Sequence, residues 1–287
     1  MHADELELDE ELVRRLLAEQ FPDWSDLPLS RVEPAGTVHA IFRLGPELSV
    51  RLARRNGPTE PGGKELEWLP RLVPQLPFEL PVPVVQGRPS DGYPWFWDVH
   101  TWVEGANVPV EQLDAVQAAR DLAGFVAVLQ QADPAGAPRG RRVHLADWEP
   151  GFRHWLARFD GDVAAVTGVW ERARAAPPWN GPPVWYHGDL DGRNWLVRDG
   201  RISGVIDWGD MGVGDPAADV MVAWKLHSSA ARAAFREALP TDDATWERAR
   251  GWVVSQAVAA LAYYTPENNS ALYPEAERWL ADVLADS

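Results

Sequence analysis

Apolar residues change their spacing along this chain, and the changes divide it into elements. Leu8, Leu12, Leu16 and Leu17 recur at helical intervals behind an acidic start, which predicts a helix within residues 5–20. Two β-like runs follow, 40–44 and 48–52, joined by a short turn containing Gly45 and Pro46. The stretch "GGKELEWLPRLV" predicts a helix beginning near Lys64. Beyond it, "PFELPVPVVQGRPSDGYPWFWDVHTWVEG" is punctuated by proline and rich in Val, Trp and Phe, which predicts two short strands around a turn at Asp91-Gly92. Residues 1–103 therefore read as a small α+β unit: helix, strand pair, helix, strand pair.

After Gly105 helical spacing takes over. "VEQLDAVQAARDLAGFVAVLQQAD" predicts a long helix stopped at Asp133-Pro134, and helical stretches continue to Ala173. The breaker "APPWNGPPV" fills 176–184, and helices resume from about Ala217 to the end. Between them "NWLVRDGRISGVID" places two β-like runs around Asp199-Gly200, a strong hairpin signal because glycine supplies the positive φ of a tight turn. Residues 104–287 are thus expected to form a second, mainly helical lobe. No internal repeat is visible.

Composition narrows the classes. With 287 residues, 46% hydrophobic and 24% charged, the chain is ordinary for a soluble globular protein that buries a sizeable core. Its longest apolar stretch, "WVVSQAVAALAYY", is too short for a membrane span and is broken by Ser255 and Gln256. The start is acidic, unlike a secretory leader, so a cytoplasmic protein away from membranes is expected. Zero cysteines exclude disulfides, a thiolate nucleophile and cysteine metal sites. A net charge of -16 argues against nucleic acid, whose phosphates recruit Lys and Arg. From Glu104 onward 26 acidic residues face 17 basic ones, which suits a cationic small molecule, with solubility as the ordinary alternative.

Candidate chemistry is concentrated in "WYHGDLDGRNWLVRDGRISGVIDWGDMGVGDPAADV", residues 185–220. The hairpin brings Asp189 and Asn194, just before its first strand, toward Asp207, just after its second. Two carboxylates and an amide oxygen then converge, and hard oxygen ligands suit Mg²⁺ bridging substrate phosphates. In that arrangement Asn194 and Asp207 hold the metal, while Asp189 orients an incoming hydroxyl and accepts its proton. Taken singly, each residue could merely cap a turn, and His187 could be a hydrogen-bonded anchor. The ordered set makes coincidence a poor explanation.

The pattern "HGDLxxxN…IDW…GDPxxD" resembles the catalytic core of the aminoglycoside phosphotransferase family, small-molecule relatives of the protein kinases. The resemblance implies an α+β, bilobal protein-kinase-like fold, with a small N-terminal antiparallel-sheet lobe for nucleotide and a larger helical C-terminal lobe for catalysis and acceptor binding. It implies Asp189 as the catalytic Asp, Asn194 and Asp207 on Mg²⁺, and ATP or GTP as donor. His187 supports the loop, Asp219 braces it through backbone N–H groups, and Asp215 with Pro216 caps a helix. In the first lobe, Gly36 and Thr37 match the loop that covers the phosphates. Arg51 stands where the family usually has Lys, with Glu65 as its helix partner and Glu67 as second choice. This chain has only two lysines against 25 arginines, and an arginine's planar fork is not geometrically equivalent. Thr101 and Val103 match the hinge that meets adenine through backbone groups.

Family acceptors are hydroxyls of antibiotics and small metabolites. A cationic aminoglycoside-type or cyclic-peptide antibiotic would need carboxylates, with Asp210 and Glu267 as first candidates, then Glu149, Asp160, Asp162, Asp242 and Asp243. A macrolide would use rings instead, and Trp102, Trp148, Trp155, Trp179, Trp208, Trp224 and Trp252 could stack a ligand or fill core. Arg51 and the single-glycine loop leave room for a different class: a kinase-like protein that binds nucleotide without transfer.

Overall fold

The computed structural model describes Leu6 and residues 8–33 and 38–286; Gly36 and Thr37 lie outside the described residues. The chain forms two compact units, one from Met1–Pro74 with Glu79–Glu104, the other from Gln75–Phe78 with Gly105–Ser287. The short segment Gln75–Phe78 joins the second unit although it precedes residue 103. Phe78 stacks on Phe125 there, with ring centroids 5.2 Å apart, a contact invisible to local spacing.

In the first unit α1 (Glu10–Gln20) is opened by Asp9, whose carboxylate accepts the Leu12 N–H at 2.8 Å. The sheet comprises β1 (Leu29–Arg31), β2 (His39–Leu44), β3 (Leu48–Ala53), β4 (Pro83–Gly87) and β5 (Trp97–Thr101). Its order is β1-β2-β3-β5-β4 and every neighbour is antiparallel. Burial alternates along β2, so Ala40, Phe42 and Leu44 share one face. Leu12, Val13, Leu16 and Leu17 of α1 pack into the same core as Phe42, Val50, Trp97 and Val99. Eleven residues of helix are marginal alone, so this docked face is what stabilises α1. The unit's second helix, α2, spans Lys64–Leu72. β1 was not anticipated: three residues with only Leu29 buried show no alternation, and pairing with β2 decides it.

The second unit holds α3 (Ala115–Gln131), α4 (Glu149–Leu156), α5 (Val163–Ala175), α6 (Ala217–Val220), α7 (Ser229–Ala238), α8 (Asp243–Tyr263) and α9 (Leu272–Ala285). α3 starts after Asp114, whose carboxylate accepts the Val116 and Gln117 N–H groups. α8 is buried on nearly every side against α4, α5, α6 and α9. Two antiparallel pairs complete the unit: β7 (Trp195–Arg198) with β8 (Arg201–Val205), and β6 (Val184–Tyr186) with β9 (Gly212–Gly214). In the first pair Asp199 and Gly200 form the turn with φ of 53° and 75°, the left-handed values a two-residue hairpin needs.

The β6–β9 pair escaped sequence reasoning because each strand is three residues long. Its glycines have a packing cause: a Cβ on Gly212 would lie 2.5 Å from the Gly140 Cα, and one on Gly214 2.6 Å from the Arg142 carbonyl oxygen. Tryptophans 97, 170, 185, 195, 208, 224, 252 and 279 are fully buried, so Trp208, Trp224 and Trp252 are core residues. Among the described residues no helix is long and apolar enough to cross a membrane.

Candidate active site

The β7–β8 hairpin does bring its two ends together. The Ile206 N–H donates to the Asn194 carbonyl at 2.8 Å, closing the ladder just beyond Trp195 and Val205. Asp207 comes next, in the left-handed region with φ of 60°. That conformation is uncommon for a residue with a Cβ, and Asp tolerates it better than most. It turns the chain sharply away from the strand into the Trp208–Asp210 turn. A Cβ on Gly209 would sit 3.4 Å from Asp207 Oδ1, so the carboxylate lies over that glycine.

Asp189 arrives on the loop after β6. The buried Asp219 carboxylate accepts the His187 N–H at 2.7 Å and the Gly188 N–H at 2.8 Å. Burial raises the pKa of Asp219, against the pull of those two N–H donors. Gly188 has φ of 89°, so the bend into Asp189 favours glycine. The His187 ring joins both halves of the site. Its Nδ1 accepts the Asp189 N–H at 3.2 Å, which leaves Nε2 to donate to the Ile206 carbonyl at 3.0 Å. Since a carbonyl only accepts and an N–H only donates, the ring is held as the neutral Nε2–H tautomer. It packs edge-on against Trp208 at 4.7 Å. His187 is therefore a brace between the Asp189 loop and the end of β8.

Two amides grip the Asp189 carboxylate. Asn194 Nδ2 donates to Oδ2 at 3.0 Å and to the Asp189 carbonyl at 2.8 Å; Gln256 Nε2 donates to Oδ1 at 3.0 Å. Burial opposes the charge on Asp189, but Lys225, Arg193 and Arg142 outweigh it and hold the carboxyl below its ordinary value. Arg193 is itself fixed by the buried Asp191, donating from Nε at 3.0 Å and Nη2 at 2.6 Å. Lys225 is fully buried, 3.8 Å from Asp191 and 4.5 Å from the Trp279 ring centre, and burial lowers its pKa despite the two aspartates.

With both amide hydrogens of Asn194 directed at Asp189, its Oδ1 is the end left for a cation. Asn194 Oδ1 and the Asp207 carboxylate supply the hard oxygens that Mg²⁺ takes alongside phosphate and water. Among the described residues no three histidine or carboxylate side chains form a ready-made metal group.

Asp215 does more than cap. Its Oδ1 accepts the Ala217 N–H at 2.9 Å, but Arg248 of α8 also clamps both oxygens, at 2.7 and 3.0 Å, in a buried pair. Arg248 further donates to the Pro177 carbonyl and Thr245 Oγ1. All three guanidinium nitrogens are engaged, so the pair ties the "GDP" turn to α8.

Within the first unit, Arg51 on β3 donates from Nη1 to Glu65 Oε2 of α2 at 2.7 Å, both side chains largely buried. Burial raises the Glu65 pKa, and Arg51 more than reverses it. Burial and then Arg51 hold His39 and His100 down at about 4, so both stay neutral near pH 7. Glu67 instead pairs with Arg71 at 3.4 Å. The Thr101 N–H donates to the Val82 carbonyl at 2.8 Å and its Oγ1 accepts the Val82 N–H. These bonds hold the end of β5 to the residue just ahead of β4. Val103 is buried just beyond β5.

The profile of the APH family, described as the phosphotransferase enzyme family, matches residues 34–252. The chain belongs to that family. It is therefore a phosphotransferase, and among solved structures it resembles the GDP complex of an aminoglycoside 2′-phosphotransferase-IIIa at a TM-score of 0.72. That likeness covers 97% of this chain and 99% of the other at 18% identity, which speaks for the fold alone. A macrolide 2′-phosphotransferase from Brachybacterium faecium is 25% identical, with a TM-score of 0.62 over 95% of this chain and 98% of that one. Viomycin phosphotransferase of Streptomyces vinaceus is 55% identical over 38 residues, 12% of this chain and 13% of that protein's length.

Five residues around the phosphotransferase loop were not anticipated: Gln256, Arg193, Asp191, Lys225 and Arg248. Asp191 and Arg193 left a signal, an acid and a base two positions apart inside "HGDLDGRN". The other three come from remote helical segments: Gln256 and Lys225 left only a polar letter in an apolar run, and nothing sets Arg248 apart from its neighbours Glu247 and Arg250. Several acid candidates prove occupied. Glu149 accepts from Trp170 Nε1 and pairs with Arg153 and Arg174; those partners overcome burial and hold it at about 2. Asp162 and Asp242 cap α5 and α8, and Asp243 pairs with Arg236. Asp210 remains exposed beside Gly188, whose hypothetical Cβ would lie 3.2 Å from the Asp210 Cβ. Glu267 lies exposed in the loop between α8 and α9, held below its ordinary value by the Thr265 side chain.

Proposed function

We propose that this phosphotransferase moves the γ-phosphate of Mg-bound ATP or GTP to a hydroxyl of a small cationic antibiotic, working in the cytoplasm. The observation that carries the reading is the convergence of Asp189, Asn194 and Asp207, joined by the Ile206–Asn194 bond and by the His187 ring. Asp189, kept anionic by Lys225 and Arg193, accepts the proton of the acceptor hydroxyl as its oxygen bonds to the γ-phosphorus. The bond from phosphorus to the β–γ bridging oxygen breaks, and the nucleoside diphosphate leaves. Asn194 Oδ1 and Asp207 would hold the metal, which when bound supplies positive charge to the phosphate oxygens. Arg51, aligned by Glu65, supplies charge for the α- and β-phosphates, with Gly36, Thr37 and the Val103 backbone as further nucleotide contacts.

A cationic acceptor is supported by the acidic surplus beyond Glu104 and by the short, close match to viomycin phosphotransferase. Asp210 and Glu267 are its proposed carboxylate contacts. A second reading, a macrolide acceptor, has its own observation. Trp155 and Tyr263 form an edge-on ring pair at 5.7 Å, with Tyr263 49% exposed, and the 25%-identical relative is a macrolide enzyme.

A coupled assay with Mg·ATP and Mg·GTP against viomycin, kanamycin, gentamicin, streptomycin, hygromycin B and a macrolide tests both. Turnover stimulated by a cationic member supports the first reading, and stimulation by the macrolide alone replaces it with the second. Nucleotide binding with silence across the panel would favour a kinase-like binder without transfer.

A further inference from the structure

Gln256 interrupts the most apolar stretch of the chain, where an amide is costly unless both of its ends are used. It sits in α8 between the buried Ser255 and Ala257, 67 residues from Asp189 along the chain. Its Nε2 donates to Asp189 Oδ1 at 3.0 Å, while Asn194 Nδ2 holds Oδ2 at 3.0 Å. One amide per oxygen fixes the rotation of the carboxylate, a torsion that is otherwise broad for aspartate. The other end of Gln256, Oε1, is buried and meets no donor among the described residues. It belongs to the same amide group that touches the Asp189 carboxylate.

We propose that the two ends of this amide do separate work: Nε2 positions Asp189, and Oε1 accepts a hydrogen bond from the phosphate acceptor. The donor is a hydroxyl or ammonium next to the hydroxyl that Asp189 deprotonates. Good substrates are then vicinal diols or amino alcohols, and an isolated hydroxyl leaves Oε1 unpaired. The assignment rests on Asp189 facing the acceptor.

Steady-state kinetics of Gln256→Met and Gln256→Glu, with viomycin and kanamycin as acceptors, test it. Gln256→Met removes both ends and should lower kcat about 10–100-fold and raise the acceptor KM about tenfold, with nucleotide KM unchanged. Gln256→Glu keeps an oxygen at Oε1 but turns a carboxylate oxygen toward Asp189 in place of the donor, and that repulsion raises the pKa of the pair, so kcat falls and its pH profile shifts upward while the acceptor KM stays near wild type. Loss of folded protein alone would not split KM between two variants in this way. Equal acceptor KM in both variants, or wild-type kcat in both, overturns the proposal. If Gln256→Met fails to fold, Gln256→Asn, which draws both ends back by one carbon, takes its place. Wild-type protein that transfers to neither antibiotic would instead refute the acceptor class. The positioning role is then read from Mg·ATP hydrolysis with water as acceptor, where unchanged kcat in Gln256→Met overturns it.

Discussion

Asp219 carries the loop on which the proposed chemistry stands, and removing its carboxylate has a calculable cost. In Asp219→Ala the His187 and Gly188 N–H groups lose their acceptors in a fully buried place. Each orphaned donor costs roughly 1–3 kcal/mol, so the pair costs about 2–6 kcal/mol. Part is returned, because the variant no longer buries a carboxylate whose charge burial disfavours. A net loss of about 2–4 kcal/mol corresponds to a fall of roughly 4–16 °C in Tm for a unit of this size. Asp219→Asn keeps one acceptor oxygen and should lose about half as much. Function should fall further than stability: a shift of Asp189 by about 1 Å costs about 100-fold in kcat. Thermal melts followed by tryptophan fluorescence, with kcat measured well below the transition, give both quantities. An Asp219→Ala protein that melts with wild type and turns over at the wild-type rate would refute the reasoning.

Asp189→Asn should keep nucleotide affinity while turnover falls by about two to four orders of magnitude, and normal turnover would remove Asp189 from the chemistry. Asp207→Ala should abolish Mg-dependent nucleotide binding in calorimetry, and unchanged binding would put the metal elsewhere. His227 is held at about 9: burial lowers its pKa, but the carboxylates of Asp282, 3.8 Å from Nδ1, and of Glu275, 2.8 Å from Nε2, raise it further. Its folded pKa exceeds the unfolded value, so its contribution is complete below about pH 6.5 and fades as pH rises through about 9. His227→Gln should therefore lower Tm at pH 6 and converge with wild type near pH 9.5; a Tm difference independent of pH would contradict this.

Local pattern determined much of this protein without any coordinates. The α1 spacing, the β2–β3 and β7–β8 hairpins and the start of α2 are set by side-chain periodicity and turn residues, which act over a few positions. The approach of Asn194 to the chain just ahead of Asp207 was legible for the same reason, because one short hairpin joins those positions. Arg51 and Glu65 were readable only through resemblance, and the structure supplies their 2.7 Å contact. Other features have no local cause. β1, β6 and β9 are three-residue strands that exist because a partner strand takes their hydrogen bonds. The Thr101 N–H is taken by the Val82 carbonyl, a partner 19 residues away that no local spacing announces. Gln256 and Lys225 reach the Asp189 loop from helical segments more than thirty residues away in sequence. Their roles come from burial, where an amide or ammonium without water must find partners, and burial is a property of the packed chain.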